Sequence, residues 1–294
     1  MTPPTLASDS STMTGTPRDR SAQASVNPEI PAPTTAVRSL GSTASSGVRL
    51  PGANVFLAPW VPRAYLTMVR FVVTGANRGI GLEFVKQLTA RGEEVDATAR
   101  APEDAPELQA LIRPDIRLRI HRLDVADDAS VGSFAGQLPA GPVDVLINNA
   151  GVSGAKGGEP IDPQDILRVF NVNAVGTLRV VRALLGRLRA GKGKKIVNLT
   201  SVLGSVAEAS GGRFAYRMSK SALNMATRVL AQDLGGEGFR TVALHPGWVQ
   251  TRMGGDAAPV PPEQSIRGML RIIDGLMAEQ SGRAFDFQGR EIPW

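Results

Sequence analysis

From residue 68 onward the chain alternates two kinds of stretch. Short runs of consecutive apolar, often β-branched residues lie at 69–74, 94–99, 116–122, 143–148, 194–200, 239–245 and 283–287 and predict strands. Between them apolar residues recur every three or four positions, at 79–91, 103–112, 127–138, 162–190, 215–236 and 262–279, and predict helices. Val143-Asp144-Val145-Leu146-Ile147 and Lys195-Ile196-Val197-Asn198-Leu199 are short and β-branched, as central strands covered on both faces should be. Strands alternating with helices imply βαβ units and a parallel sheet. The pattern therefore predicts one doubly wound α/β domain of about seven parallel strands, helices on both faces, with ligands at the carboxyl ends of the strands.

Residues 1–67 show no sustained period and are rich in Ser, Thr, Pro and Ala. Such a segment buries too little apolar surface to offset the entropy of ordering it, so it is expected to be a disordered extension of the domain at 68–294. Met68 stands directly before the first strand and would make a natural start, which favours reading the extension as a product of start-site choice. A genuine tail is the alternative. A targeting peptide is disfavoured by Asp9, Asp19 and Glu29 and by the want of an amphipathic Arg pattern.

Composition narrows the function classes. At 294 residues, 42% hydrophobic and 20% charged, the chain is an ordinary globular mix. It has no cysteine, which excludes disulfides, a thiol nucleophile and thiolate metal sites, and fits a reducing, cytoplasmic setting. His121 and His245 have no neighbouring ligand cluster, so no metal is expected. No apolar run approaches the roughly 20 residues of a membrane span. The net charge of +6 includes a basic cluster at Arg179, Arg182, Arg187, Arg189, Lys192, Lys194 and Lys195. It reads as a solvated helix face and the turn after it, since no nucleic-acid motif or interleaved aromatic residue accompanies it.

The candidate chemistry starts at Thr74-Gly75-Ala76-Asn77-Arg78-Gly79-Ile80-Gly81, between the first strand and the first helix. Glycines allow a tight turn and close approach of backbone to a phosphate, and the helix start offers unpaired N–H groups to it. Arg100 ends the second strand, where an acidic residue would bind a ribose 2′-hydroxyl and an arginine suits a 2′-phosphate. Arg78 is a second such arginine. Together they favour NADP over NAD, or else each is a surface residue. Asp124, in Leu123-Asp124-Val125, would accept from an adenine amino group or serve as an N-cap or turn aspartate. Asn148-Asn149-Ala150-Gly151 ends the fourth strand with small residues against which a cofactor can lie, or ties neighbouring strands together. Ser201 follows the fifth strand. Tyr216 and Lys220 are four apart, hence on one helix face, where the ammonium would lower the pKa of the phenol.

These motifs in this order, TGANRGIG, LDV, NNAG, NVNAVG, NLTS, YRMSK and HPGWVQT, resemble the classical short-chain dehydrogenase/reductase family over residues 74–251. Thr200 stands where the family often has serine. The insert Glu208–Arg213, the segments SKSALN, HPGWV and MGG, and the ending Ile292-Pro293-Trp294 are similar to Sniffer-type carbonyl reductases. The resemblance implies a Rossmann-type fold, NADP(H) as cofactor and a small-molecule carbonyl substrate. It implies that Tyr216 is the general acid, that Lys220 binds the nicotinamide ribose and tunes Tyr216, that Ser201 holds the carbonyl oxygen and that Asn173 holds a water in a proton relay. Pro246, Gly247, Val249 and Thr251 would cradle the nicotinamide carboxamide. Gly75, Gly79, Ile80, Gly81, Val125, Asn149, Ala150 and Gly151 complete the expected cofactor contacts. Alcohol oxidation, a biosynthetic ketoreductase and a non-catalytic NADP-binding regulator are the alternatives, and the substrate and any homo-oligomer stay open.

If the domain begins at Met68, a chain starting there will keep the melting temperature of the full chain. Loss of soluble folding in that shortened chain would show that the preceding residues are needed.

Overall fold

The computed structural model describes residues 68–155 and 161–294; the expectations for residues 1–67 lie outside them. Seven strands form one parallel sheet: β1 Arg70–Val73, β2 Glu94–Ala99, β3 Leu118–Arg122, β4 Val145–Asn148, β5 Lys195–Leu199, β6 Arg240–His245 and β7 Ala284–Asp286. Their order is β3-β2-β1-β4-β5-β6-β7. The chain runs outward from β1 on one side and from β4 on the other, so the topological switch lies between these two. The register keeps the carboxyl ends level: Val73 pairs with Ile147, Asn148 with Asn198, and Leu199 with Leu244.

Alternate residues of the buried strands feed two cores. Phe71, Val73, Val95, Ala97, Val145 and Ile147 pack with Phe84, Val85 and Leu88 of α1 (Gly79–Ala90) and with Ile266, Met269 and Ile273 of the last long helix. Val72, Leu146 and Ile196 face the other way, toward Val131 and Phe134 and toward Val180, Leu184 and Leu188. The remaining α-helices are α2 Pro106–Gln109, α3 Asp128–Gln137, α4 Pro163–Phe170, α5 Gly176–Ala190, α6 Phe214–Gly235 and α7 Pro262–Asp274.

The helical stretches of the sequence break where local chemistry demands it. The one expected over 103–112 becomes a 3₁₀ turn at Pro102–Asp104 followed by the short α2, because Pro106 has no N–H to continue a helix and instead starts a new one. The one expected over 262–279 stops at Asp274. There Gly275 forms the cap, and Lys195 Nζ donates to the terminal carbonyls of Ile273 (2.5 Å) and Asp274 (3.1 Å). The long stretch over 162–190 is one rod with a π-helical turn at Asn171–Val175 between α4 and α5. Such turns are rare and gather at functional sites.

β2 also buries a charge. Asp96 is fully buried, and its carboxylate accepts from Arg70 Nε (2.7 Å) and Arg119 Nε (2.7 Å), with His121 Nε2 at 2.8 Å. Burial alone would raise its pKa; the hydrogen bonds from these partners outweigh burial and hold the carboxyl well below the usual range. The basic cluster of α5 is paired on the surface as well. Arg179 and Arg182 meet Asp128, Arg189 meets Glu237, and Arg187 donates to three carbonyls at the end of α3.

Candidate active site

The turn after β1 is built against the turn after β4. Gly75 has φ +64, and a Cβ built on it would lie 2.8 Å from Ala150 Cα. Asn149 Nδ2 donates to the carbonyls of Thr74 and Gly75, both at 2.9 Å, and Thr74 Oγ1 accepts from the N–H groups of Asn149 and Ala150, both at 3.0 Å. A Cβ on Gly81 would stand 2.3 Å from the Gly75 carbonyl oxygen, so only glycine lets α1 start this close. No side chain caps the start of α1 and no acid lies in its first turn, which leaves its N–H groups and positive dipole end available to an anion. Across the opening, a Cβ on Gly79 (φ +54) would touch Thr251 Cγ2 at 3.3 Å. The glycine turn after β1 and the loop after β6 are therefore two of the walls of one cleft.

The third wall is the β5 end and α6. Lys220 is 4% exposed, and its Nζ donates to the Leu199 carbonyl at 2.6 Å and stands 5.7 Å from the centroid of the Tyr216 ring. The Ser201 hydroxyl lies close enough to the Tyr216 phenol to favour its ionised form, and it also accepts from Leu203 N at 3.2 Å. Burial raises the Tyr216 pKa above its ordinary value and outweighs the Ser201 hydroxyl and the Arg213 charge, so the lowering expected from Lys220 is not what sets this phenol. Burial lowers the Lys220 pKa to about 8. Gly151 joins this group to the cofactor cleft, since a Cβ there would lie 3.2 Å from Asn173 Oδ1 and 3.7 Å from Lys220 Nζ.

Asn173 sits in the π-helical turn with both its amide hydrogens and one lone pair of its amide oxygen engaged. Oδ1 accepts from Val152 N (2.8 Å), and Nδ2 donates to Val152 O and to Ser219 Oγ (both 2.9 Å). Ser219 in turn donates to the Tyr216 carbonyl at 2.8 Å. In the β6 loop, Pro246 O accepts from Ser265 Oγ at 2.6 Å. Gly247 (φ +84) passes so close to Phe287 that a Cβ would sit 2.9 Å from its ring, and Val249 is buried. His245 is held near pKa 4 by burial, against the opposing charge of Asp286, and is neutral at ordinary pH.

Arg78 and Arg100 both lie exposed at this edge, Arg78 at the cap of α1 and Arg100 just past β2, and the two loops meet where Ala76 N donates to Thr98 O at 2.7 Å. Among the described residues neither guanidinium is taken up in an ion pair. Asp124 spends one oxygen on the Ala126 N–H at 2.9 Å and so is a turn aspartate whose other oxygen is left over. Asn148 does tie strands together: its Nδ2 donates to Asn198 Oδ1, and Asn198 Nδ2 to Thr227 Oγ1, each at 2.9 Å.

The model of the family described as short chain dehydrogenase matches residues 70–260. The chain belongs to that family. The NADPH-bound carbonyl reductase of chicken fatty liver superposes with a TM-score of 0.73 at 34% identity, covering 78% of this chain and 95% of that one. Carbonyl reductase Sniffer of Drosophila melanogaster gives 0.72 at 31% identity, covering 78% of this chain and all of that one. A Myxococcus xanthus protein named C-signal is 56% identical over 166 residues, which is 55% of this chain and 99% of that protein. Within the short-chain dehydrogenase frame, three participants were not singled out from the residues alone: Thr74, Ser219 and Arg213. Ser219 lay inside the YRMSK motif, but nothing in a sequence shows that the residue just before Lys220 bonds a third element.

The buried lysine makes stability depend on pH. Its folded pKa, near 8, lies below the unfolded value of 10.5. Between these values the unfolded chain holds the extra proton, so this contribution to stability rises with pH across that window. Replacing Lys220 with Met removes the effect. The melting temperature of Lys220→Met relative to wild type, measured without cofactor, should therefore fall as the pH goes from 8 to about 10.5. A difference independent of pH would show that the ammonium is not desolvated.

Proposed function

We propose that the protein is a cytoplasmic, NADPH-dependent reductase of aldehydes or ketones. The observation that carries this reading is the placement of Ser201, Tyr216 and Lys220 in one cluster that Gly151 joins to a glycine-lined cleft. The cleft suits a dinucleotide: side chains at Gly75, Gly79, Gly81 or Gly247 would fill it or strain its turns, and the uncapped α1 start suits a pyrophosphate. The NADPH in the chicken relative, together with the two unpaired arginines, supports the phosphorylated cofactor.

When bound, the cofactor supplies a hydride to the carbonyl carbon. Tyr216 donates its proton to the carbonyl oxygen, and the Ser201 hydroxyl holds that oxygen in place. The Lys220 charge, kept in a site with little water, favours the phenolate that Tyr216 leaves behind. Because both Asn173 amide hydrogens are used internally, a relay water would have to donate to an Asn173 oxygen, and its backbone carbonyl, which Thr177 Oγ1 approaches at 3.2 Å, has a second lone pair for it. A second reading, a cofactor-binding protein with a signalling role and no turnover, is supported by the likeness to C-signal. The complete Ser201, Tyr216 and Lys220 set favours the enzyme, since binding alone does not need all three. NADPH consumption with a panel of quinones, aldehydes and diketones decides between them.

Tyr216→Phe removes only the proton donor. Its kcat should fall by about three orders of magnitude, since general acid catalysis is worth roughly 10²–10⁴-fold and the substrate oxygen also loses its anchor. NADPH affinity should stay within a few-fold. Retention of more than about a tenth of wild-type kcat in a single-turnover measurement would remove Tyr216 from the chemistry.

Replacing both Arg78 and Arg100 with Ala should weaken NADPH binding by one to two orders of magnitude, roughly the loss of one or two charge-assisted bonds, and leave NADH nearly unaffected. Equal weakening of the two cofactors by titration calorimetry would sink the assignment.

A further inference from the structure

At the mouth of the site stands a cation that the reaction just described does not use. The carbon of the Arg213 guanidinium lies 5.7 Å from the centroid of the Tyr216 ring, within cation–π range. Unlike Lys220, Arg213 is exposed. Its backbone is left-handed, φ +55, directly after Gly212 at φ +80. Glycine accepts that conformation freely; a residue with a Cβ does so at a cost, and such residues gather at functional sites.

The loop that carries Arg213 is fastened by a different arginine. Arg217 donates to Gly212 O (3.1 Å), to Ser210 Oγ (2.5 Å) and to Leu203 O (3.4 Å), which pins the segment to the Val202–Gly204 turn beside Ser201. Arg213 makes no such bond. Among the described residues it has no hydrogen-bond acceptor and no carboxylate partner, and Glu208, the acid of the same insert, is not bonded to it. A fixed loop thus holds an uncommitted, planar, bidentate donor beside the phenol that meets the substrate oxygen.

We propose that Arg213 selects the substrate: its guanidinium receives an anionic group, carboxylate or phosphate, carried close to the carbonyl that Tyr216 and Ser201 hold. This rests on the reductase reading and names the substrate class for it, oxo acids and their phosphonate or phosphate counterparts over neutral carbonyls. Arginine suits the task because its fork matches either anion with two parallel bonds. The neutral ester of such an acid would leave the fork unfilled, and that difference is what discriminates.

The test compares aromatic 2-oxo and 3-oxo acids with their methyl esters and with the corresponding oxo phosphonates. For wild type, kcat/KM for an anion should exceed that for its ester by at least tenfold, and the better anion identifies which kind the site takes. Arg213→Gln should collapse the anion-to-ester ratio by about ten- to a hundredfold, the range for a hydrogen bond to a charged group, and Arg213→Lys should restore part of it. Arg213→Gly, which suits the left-handed backbone, should lose the preference while keeping the fold. Binding is read separately, by calorimetry on the NADP-loaded protein with N-phenyloxamate, whose amide carbonyl resists reduction, against its methyl ester. The acid should bind at least tenfold more tightly to wild type and not to Arg213→Gln. Equal binding of acid and ester, or a preference that survives Arg213→Gln and Arg213→Gly, overturns the proposal. Absence of NADPH consumption with every acid and ester would instead overturn the reductase reading, which the binding measurement does not depend on.

Discussion

The structure depends on one seam. At the switch point the helices after β1 and β4 leave toward opposite faces of the sheet, and an open crevice is the default there. Here the crevice floor is closed by backbone contact at Gly75 and Ala150 and by the Asn149 amide, which reaches back to two carbonyls of the β1 turn. The start of α1, the position of Gly151 and hence the distance from the cofactor cleft to Lys220 and Asn173 follow from that seam. Side chains larger than hydrogen at Gly75 or Gly81 would push the two turns apart, and the cleft and Tyr216 would no longer share a wall.

On the β4, β5 and α6 side the sheet is held by polar groups to a degree that apolar packing does not require. The Asn148–Asn198–Thr227 row crosses from β4 through β5 to α6, and Thr200 Oγ1 meets Asn224 Oδ1 at 2.5 Å one turn nearer the site. Each buried amide and hydroxyl is costly unless paired, so these bonds specify one rotation of α6 against β5 more sharply than Leu or Val would. That rotation fixes where Tyr216 and Lys220 point. The desolvated ammonium of Lys220 is destabilising at neutral pH, and the catalytic role proposed for it supplies the reason to keep it there.

The β1–α1 glycine turn, the seven strands and the Tyr216–Lys220 pair were legible because each follows from local rules: two-residue and 3.6-residue periods, φ that only glycine tolerates, and i,i+4 spacing. Less legible was whatever depends on contact between distant segments. Asp96 reads as a polar interruption in β2, and only the fold shows Arg70, Arg119 and His121 closing on it. Asn173 was found through the family motif, but its place in a π-helical turn was not, since the apolar period runs through 162–190 without a break. Asp124 illustrates the reverse. Both its readings were open from sequence, and the geometry shows that its bond to Ala126 satisfies one oxygen without using the other.

The site divides by what builds it. The cofactor walls are mostly main chain: glycine turns, helix N–H groups, and carbonyls braced by Asn149 and Ser265. Such walls tolerate wide change in side chains, which explains how relatives near 30% identity share the fold so fully. The mouth is mostly side chain. Arg213 belongs to the segment between Ser201 and Tyr216, and Trp248, exposed and bonded through Nε1 to Gly254 O at 2.8 Å, belongs to the loop after β6. Replacing a residue there leaves the seam and the Asn148–Asn198–Thr227 row untouched, although the Arg213 charge also acts on Tyr216. Selection for a new substrate can therefore act on the mouth while the seam stays in place, so family membership gives the oxidoreductase class and the substrate has to be read from the residues of this chain.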